Sequence, residues 1–194
     1  MKKAVLLRTM LRRGATLTTN HSPAWYRTLV ERCIHLGVPA TEVEDGATVE
    51  LPLTHHLSIP WYAERLELYA GAGLREKQRG YAFDGRTGKP LAAWLSSWLV
   101  IGDASADPIV LDRASGAILT GPHGTGRWEL HPMAPDLDLL CHALAVWLDL
   151  RQVQFQGSLT DPHHVVRTEV TDGVRAALTP IVGNGCIRSW LGQD

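Results

Sequence analysis

Apolar positions recur at helical spacing in four stretches of this chain, and in short unbroken runs between the second and third. Ser22-Pro23 supplies a capping hydroxyl followed by a Pro in the first turn, where a missing N–H costs little. Trp25, Tyr26, Leu29, Val30, Cys33 and Leu36 then form one helical stripe, closed by Gly37 and Pro39. Residues 40–57 place Val43, Val49 and Leu51 among acids and read as a strand with flanking loops. Ser58-Ile59-Pro60 repeats the cap-then-Pro signal, so Trp61, Tyr62, Leu66 and Tyr69 predict a second helix, stopped by Gly71 and Gly73.

The pattern then changes. Tyr81-Ala82-Phe83, the run from Trp94 to Ile101 that closes on Gly102, Ile109-Val110-Leu111 and Ala117-Ile118-Leu119 are short β candidates. Turn-rich connectors at 102–108 and 113–116 join the later ones and predict an antiparallel meander. After Pro132 and Pro135, Asp136 and Asp138 occupy a first helical turn. Leu137, Leu140, Cys141, Leu144, Trp147 and Leu148 extend it to about Leu150 or Arg151. Asp161-Pro162 predicts a last helix through Val166, Val170, Val174, Leu178 and Ile181, weakened by Gly173 and ended or kinked by Pro180.

Helices, then clustered strands, then helices point to an α+β fold: a small antiparallel sheet flanked by helices, with an extra C-terminal helical segment. At 194 residues one domain with an appendage is expected. The divisions are a basic arm over 1–21, a core over 22–150 and a helical extension over 151–194 packed on that core.

Charge refines this picture. Nineteen basic against twenty acidic residues exclude a whole-protein basic field for nucleic acid. Lys2, Lys3, Arg8, Arg12 and Arg13 carry no interleaved aromatic residue for base stacking, so direct nucleic-acid binding is not expected. The rest of the chain carries a formal charge of −6. Ala4-Val5-Leu6-Leu7 is too short for an export signal, and no apolar run approaches a membrane span. Three scattered cysteines fit reduced thiols, so a cytoplasmic location is expected.

Catalytic patterns are missing. There is no G-x-S-x-G elbow, and Gly121-Pro122-His123-Gly124-Thr125-Gly126 lacks the Lys-Ser/Thr of a P-loop. His55-His56 and His163-His164 are adjacent pairs, whose rings diverge on a helix or a strand. Neither a metal nor any other cofactor is expected. Asp103, Asp107 and Asp112 serve either as turn-stabilising carboxylates or as a surface set for a partner. Trp25, Trp61, Trp98 and Trp147 fall on apolar stripes and read as core, whereas Trp94 and Trp128 are candidate aromatic anchors.

Three segments taken in order resemble the SUKH superfamily, which includes the Smi/Knr-type proteins. They are Trp98-Leu99-Val100-Ile101-Gly102-Asp103, Asp107-Pro108-Ile109-Val110-Leu111-Asp112 and Ser115-Gly116-Ala117-Ile118-Leu119, with His123 after them. The superfamily pattern is a strand ending in Ile-Gly, a polar turn, Asp-Pro with a strand ending in Asp, a Gly-led apolar strand and a His. Ser58-Ile59-Pro60-Trp61-Tyr62, continuing to Tyr69 and Gly71, resembles its early segment, and Leu137–Leu150 its closing helix. Ala70-Gly71-Ala72-Gly73 departs from the acidic or Asn-Gly ending common there.

The resemblance implies a small antiparallel sheet with flanking helices and a non-enzymatic binding role. Bacterial members are mostly immunity proteins that block a cognate toxin domain, often a nuclease, of a polymorphic toxin system. The partner expected is such a toxin domain, met by a monomer or homodimer. The expected interface carries Asp103, Asp107 and Asp112 with Trp94 or Trp128, and a second acidic patch at Glu42, Glu44, Asp45 and Glu50. The alternatives are a regulatory scaffold of the same fold with a non-toxin partner, and a metal-assisted hydrolase built on the His pairs.

Overall fold

The computed structural model describes residues 24–43, 51, 53–124 and 127–191. The basic arm, the Ser22-Pro23 cap and the acids Glu44, Asp45 and Glu50 lie outside the described residues. Among the described residues, strands β1 (Ala40–Glu42), β2 (His55–Trp61), β3 (Glu64–Leu68), β4 (Trp98–Ala104), β5 (Asp107–Asp112), β6 (Ile118–Thr120) and β7 (His131–Ala134) form one sheet. Its order is β1 to β7 and every pair is antiparallel. Helices α1 (Ala24–His35), α2 (Leu137–Asp149) and α3 (Thr168–Val182) accompany it. The α+β class and the meander through β4, β5 and β6 agree with the sequence pattern.

Residues 58–69 depart from it. They form no helix but the β2–β3 hairpin, in which Ile59 pairs with Leu66 and Leu57 with Leu68. Those four side chains are fully buried, while His56, Ser58 and Glu67 stand on the other face. The burial period is two, so the helical spacing of Trp61, Tyr62, Leu66 and Tyr69 comes from chain reversal at Tyr62-Ala63. Pro60 is tolerated because the Ser58 N–H points to the β1 side, toward the Pro39 carbonyl. Two residues on, the missing N–H of Pro60 faces the same side, where β1 has already ended.

Two smaller corrections follow the same logic. Tyr81-Ala82-Phe83 makes only isolated bridges, Phe83 with Arg79 and with Pro90. Asp161 opens no helix. Its carboxylate accepts the His163 and Val165 N–H groups in a turn closed by a Thr160–Val166 bridge, and α3 starts at Thr168. Pro180 sits within one turn of the end of α3, which continues to Val182 before Gly183 turns left-handed. Gly173 admits the Phe155 ring, which would lie 2.9 Å from any Cβ placed there.

The helices cover the Leu57/Ile59 face of the sheet. Leu140, Leu144 and Leu148 of α2 share one core with Leu29 and Cys33 of α1 and Val170, Val174 and Leu178 of α3. Asp136 caps α2 by accepting the Leu139 N–H at 2.8 Å. Two indoles tie this layer to the strands: Trp147 donates to the Pro60 carbonyl at 2.8 Å and Trp190 to the Met133 carbonyl at 2.9 Å. Of the tryptophans expected in the core, Trp147 is fully buried, while Trp25, Trp61 and Trp98 are half-buried against the core cluster.

On the opposite face, a 3-10 segment (Gly71–Gln78) follows β3. Gln78 is buried, and its carboxamide exchanges two bonds with the Val100 backbone, accepting its N–H at 2.9 Å and donating to its carbonyl at 2.8 Å. The side chain thereby stands in for a strand where β3 has ended. A Cβ at Gly102 would overlap the Glu67 carbonyl oxygen of β3, a backbone atom that cannot swing away. Gly102→Ala is therefore expected to lower stability by about 3 kcal/mol, the upper end for overpacking. Urea denaturation followed by circular dichroism measures it, and a loss below about 1 kcal/mol would show that β3 and β4 separate freely.

Candidate partner-binding site

The β4–β5 hairpin owes its form to one extra residue. Val100 pairs with Val110 and Gly102 with Ile109, so Ile101 is a β-bulge. The bulge shifts the phase of β4: Asp103 comes opposite Pro108 rather than Asp107, and on its other side it pairs with Glu67. Two carboxylates thus stand side by side on the open face. Glu67 accepts Ser58 Oγ at 2.5 Å and lies 2.9 Å from His56 Nε2. Asp103 accepts the Tyr69 hydroxyl, whose ring stacks on His56 at 5.7 Å and carries Lys77 Nζ 4.5 Å above it. Burial holds the Asp103 carboxyl above the ordinary carboxylate range. The Ala106 N–H opposes that rise, Glu67 adds to it, His56 opposes it and Asp107 adds to it.

The hairpin turn is strained. Ser105 and Ala106 hold φ of 52° and 74°, the left-handed pair that a two-residue hairpin needs and that Asn-Gly usually supplies. Each such residue costs on the order of 1–2 kcal/mol. The Tyr81 hydroxyl donates to the Ala106 carbonyl at 2.8 Å, and Asp103 accepts the Ala106 N–H at 3.4 Å. The tip is thereby clamped from both sides. Tyr81 has its hydroxyl pKa raised by burial and then by Asp107. Asp107 holds the next loop, accepting the His123 N–H at 2.8 Å and meeting His123 Nδ1 at 2.6 Å.

Behind the tip lies an aromatic cluster. Trp94 meets Trp128 edge-on at 5.2 Å and Trp98 at 5.4 Å, and Tyr81 lies against both Trp94 and Trp128. A groove of about 570 Å3 opens over Tyr81, Leu91 and Trp128 and reaches Ala106 and His123 at the tip. A second, of about 610 Å3, runs along the other side of Leu91 over Leu74, Phe83, Trp94 and Leu95. Trp94 retains only 9% exposure and forms wall more than surface, whereas Trp128 is half-buried.

The expected acidic set is divided by the fold. Asp103 and Asp107 flank the tip, but Asp112 ends β5 beside Trp98, about 17 Å away at strand rise. There Asp112 accepts the Ala114 N–H at 3.0 Å and Ser115 Oγ at 2.8 Å, shaping the β5–β6 turn. Burial alone would raise its pKa, but the Ser115 hydroxyl and the Ala114 N–H outweigh it and the pKa falls. Glu42 is exposed on β1. Glu44 and Asp45 lie outside the described residues.

The model of the SUKH-4 immunity proteins matches residues 18–181. The chain belongs to that family. No curated protein and no solved structure matches it. In this family member the Ile-Gly, Asp-Pro and Gly-led segments of the superfamily pattern have structural roles. Ile101 is the bulge, Gly102 the close approach to β3, Asp107 the loop anchor and Gly116 a left-handed turn residue after β5. The early segment through Tyr62 is the β2–β3 hairpin.

His55 meets Thr54 Oγ1 at 2.9 Å and His56 meets Glu67, while His163 and His164 lie in the Asp161 turn. Among the described residues no three His, Cys, Asp or Glu side chains come together to hold a metal ion, and no helix is long and apolar enough to cross a membrane. Sequence reasoning missed Glu67 and Tyr81. The alternation of Leu66 and Leu68 around Glu67 was the available signal for the first; the second carries none, because only the folded hairpin tip brings Ala106 to it.

A raised pKa means that folded Asp103 binds its proton more readily than the unfolded chain does. The ionised carboxylate therefore opposes folding at neutral pH, and that opposition fades as pH falls through its folded pKa toward 3.8. Asp103→Asn is expected to raise the urea midpoint at pH 7, with the advantage gone below pH 3.8. A variant no more stable than wild type at pH 7 would show that Asp103 is compensated by its hydrogen bonds.

Proposed function

We propose that this chain binds and neutralises a cognate toxin domain of a bacterial polymorphic toxin system, in the cytoplasm of the producing cell. It does so by covering the toxin's working surface rather than by catalysis. The observation that carries this reading is the β4–β5 tip of a SUKH-4 family member. A strained, doubly clamped turn stands between the Glu67–Asp103 pair and an aromatic groove. Residues held in costly backbone conformations, a carboxylate with a raised pKa and clustered Tyr and Trp side chains mark surfaces built for a task other than stability.

Glu67, Asp103 and Asp107 suit a basic counterpart, which favours a nuclease toxin. A nucleic-acid cleft is lined by Lys and Arg, and opposite potentials accelerate encounter and fix register. A stable complex of this kind buries roughly 1,200–2,000 Å2 in total. The tip and its flanks would form the centre of that contact, with Asp112 and its turn at the margin or outside it.

The test is co-expression with the toxin domain encoded beside this chain. Growth restored by this chain alone is the expected result. Asp103→Lys is expected to lose protection and weaken toxin binding at least tenfold, because a buried pair that loses one partner leaves a charge uncompensated. Glu169→Lys on the exposed side of α3 is expected to protect fully. Toxicity without rescue would move the reading to a regulatory scaffold with another partner. Rescue undiminished by Asp103→Lys would move the interface off the tip.

A further inference from the structure

The two grooves beside the tip differ in charge from the acidic face. None of the described residues lining either groove is Asp or Glu. The first carries Arg79 and Arg127 with His123, and the second Arg75 and Arg113. Their floors are apolar: Tyr81 and Trp128 in one, Leu74 and Trp94 in the other, with Leu91 lining both as the ridge between them. On the outer side of the second groove, Phe83 and Leu95 are 37% and 54% exposed.

We infer that these grooves receive one segment of the protein partner, carrying two large apolar side chains flanked by carboxylates. One apolar side chain enters each groove on either side of Leu91, and the carboxylates meet the arginines at the rims. The inference rests on the immunity reading in taking a protein as the partner.

Three observations support that occupant. Each cavity falls within the roughly 300–1,000 Å3 of ligand-sized sites, and apolar floors with few polar groups at the rim are their usual build. Tyr, Trp and Arg are the side chains that most often dominate binding energy at protein interfaces. Arg79 meets Glu76 at 2.6 Å and Arg127 meets Glu129, in exposed pairs of a kind that contribute little to stability. An incoming carboxylate can therefore replace Glu76 or Glu129 at small cost, and a guanidinium binds it with two parallel bonds.

A single-stranded nucleic acid also pairs stacking surfaces with cations. The surroundings disfavour it. Asp103 and Asp107 stand at the tip that closes the first groove, and Glu76 and Glu129 hold the rim arginines. A chain with one phosphate per nucleotide would run against these carboxylates, whereas a segment with a few side-chain carboxylates need touch only the arginines.

The test uses the whole chain labelled with nitrogen-15 and follows the indole N–H signals of its tryptophans. The probe is a capped octapeptide in which Phe and Leu stand three residues apart among four Glu. Controls are the same peptide with Lys for Glu, the same with Ala for Phe and Leu, and an eight-nucleotide oligothymidylate. The acidic apolar peptide is expected to shift Trp94 and Trp128 and to leave buried Trp147 and Trp190 unmoved. Both peptide controls are expected to bind at least tenfold more weakly. Arg79→Glu with Arg75→Glu, both at exposed positions, should abolish the preference for Glu over Lys while the unmoved indole signals report an intact fold.

Equal binding of the Lys peptide, no shift at millimolar peptide, or binding of the oligonucleotide alone would each overturn the inference. Toxin rescue without peptide binding removes the groove assignment and leaves immunity standing. Peptide binding without rescue leaves the groove and removes immunity.

Discussion

Ile101 is the one residue by which β4 exceeds β5 between Val100 and Gly102, and the open face depends on that insertion. Without it the pairing would set Asp103 opposite Asp107 as well as Glu67, like charges across both strand gaps, which destabilises a sheet. With it, Asp103 meets Pro108 on the β5 side, Glu67 alone stands opposite it, and Asp107 is released to hold His123. A bulge also increases local twist and bends the strand. Here the bend is braced on both sides. Gln78 occupies the Val100 backbone and Gly102 lets β3 approach. The face is therefore over-determined just before the point where the backbone becomes strained, which is the condition for a left-handed Ser105-Ala106 pair to persist.

The parts of the fold legible in the sequence were those where period and punctuation agreed. Residues 98–120 alternate short apolar runs with Asp, Ser and Gly turns, and no helical reading competes there. Residues 136–149 open on an N-cap, Asp136, and carry an uninterrupted stripe. Residues 58–69 were misread because a cap-then-Pro signal stood in front of aromatic residues at steps compatible with a helix. Pro60 is in fact tolerated for a reason no local pattern contains, the end of β1 on its N–H side. Asp161-Pro162 failed similarly: the Asp carboxylate does cap backbone N–H groups, but those of a closed turn rather than of a helix. A capping residue states that a backbone turns toward it, not how long the turn continues.

The site was legible to a lesser degree, and the difference is topological. Asp103 and Asp107 were visible because turn residues and their neighbours are adjacent in sequence. Asp112 appeared to join them for the same reason, yet a strand carries its two ends far apart, and Asp112 serves the opposite turn. Glu67 and Tyr81 lie 36 and 22 residues before Asp103 and reach the tip only through the sheet and the loop before β4. The tryptophans divided on similar grounds. Position on an apolar stripe reported Trp147 correctly, while Trp94 owes its burial to Trp98 and Trp128 around it.

The open face joins two kinds of surface whose physical contributions differ. Charges such as Asp103 and Glu67 act over a distance of about a Debye length, roughly 8 Å at physiological salt, and so shape encounter and orientation. Apolar grooves act only on contact, and their contribution appears mainly in the rate of dissociation. The turn between them must then hold its position while both are engaged. An Asn-Gly turn would relieve the strain at Ser105-Ala106 and would keep the main-chain groups that are held there. The Tyr81 and Asp103 bonds to the Ala106 backbone tie the turn to the aromatic floor and to the acidic pair together. The acidic pair and the aromatic floor thus share Ala106 as an anchor, which sets the spacing between the two halves of the proposed interface. A fixed spacing is what lets one partner be distinguished from another that carries the same groups at a different separation.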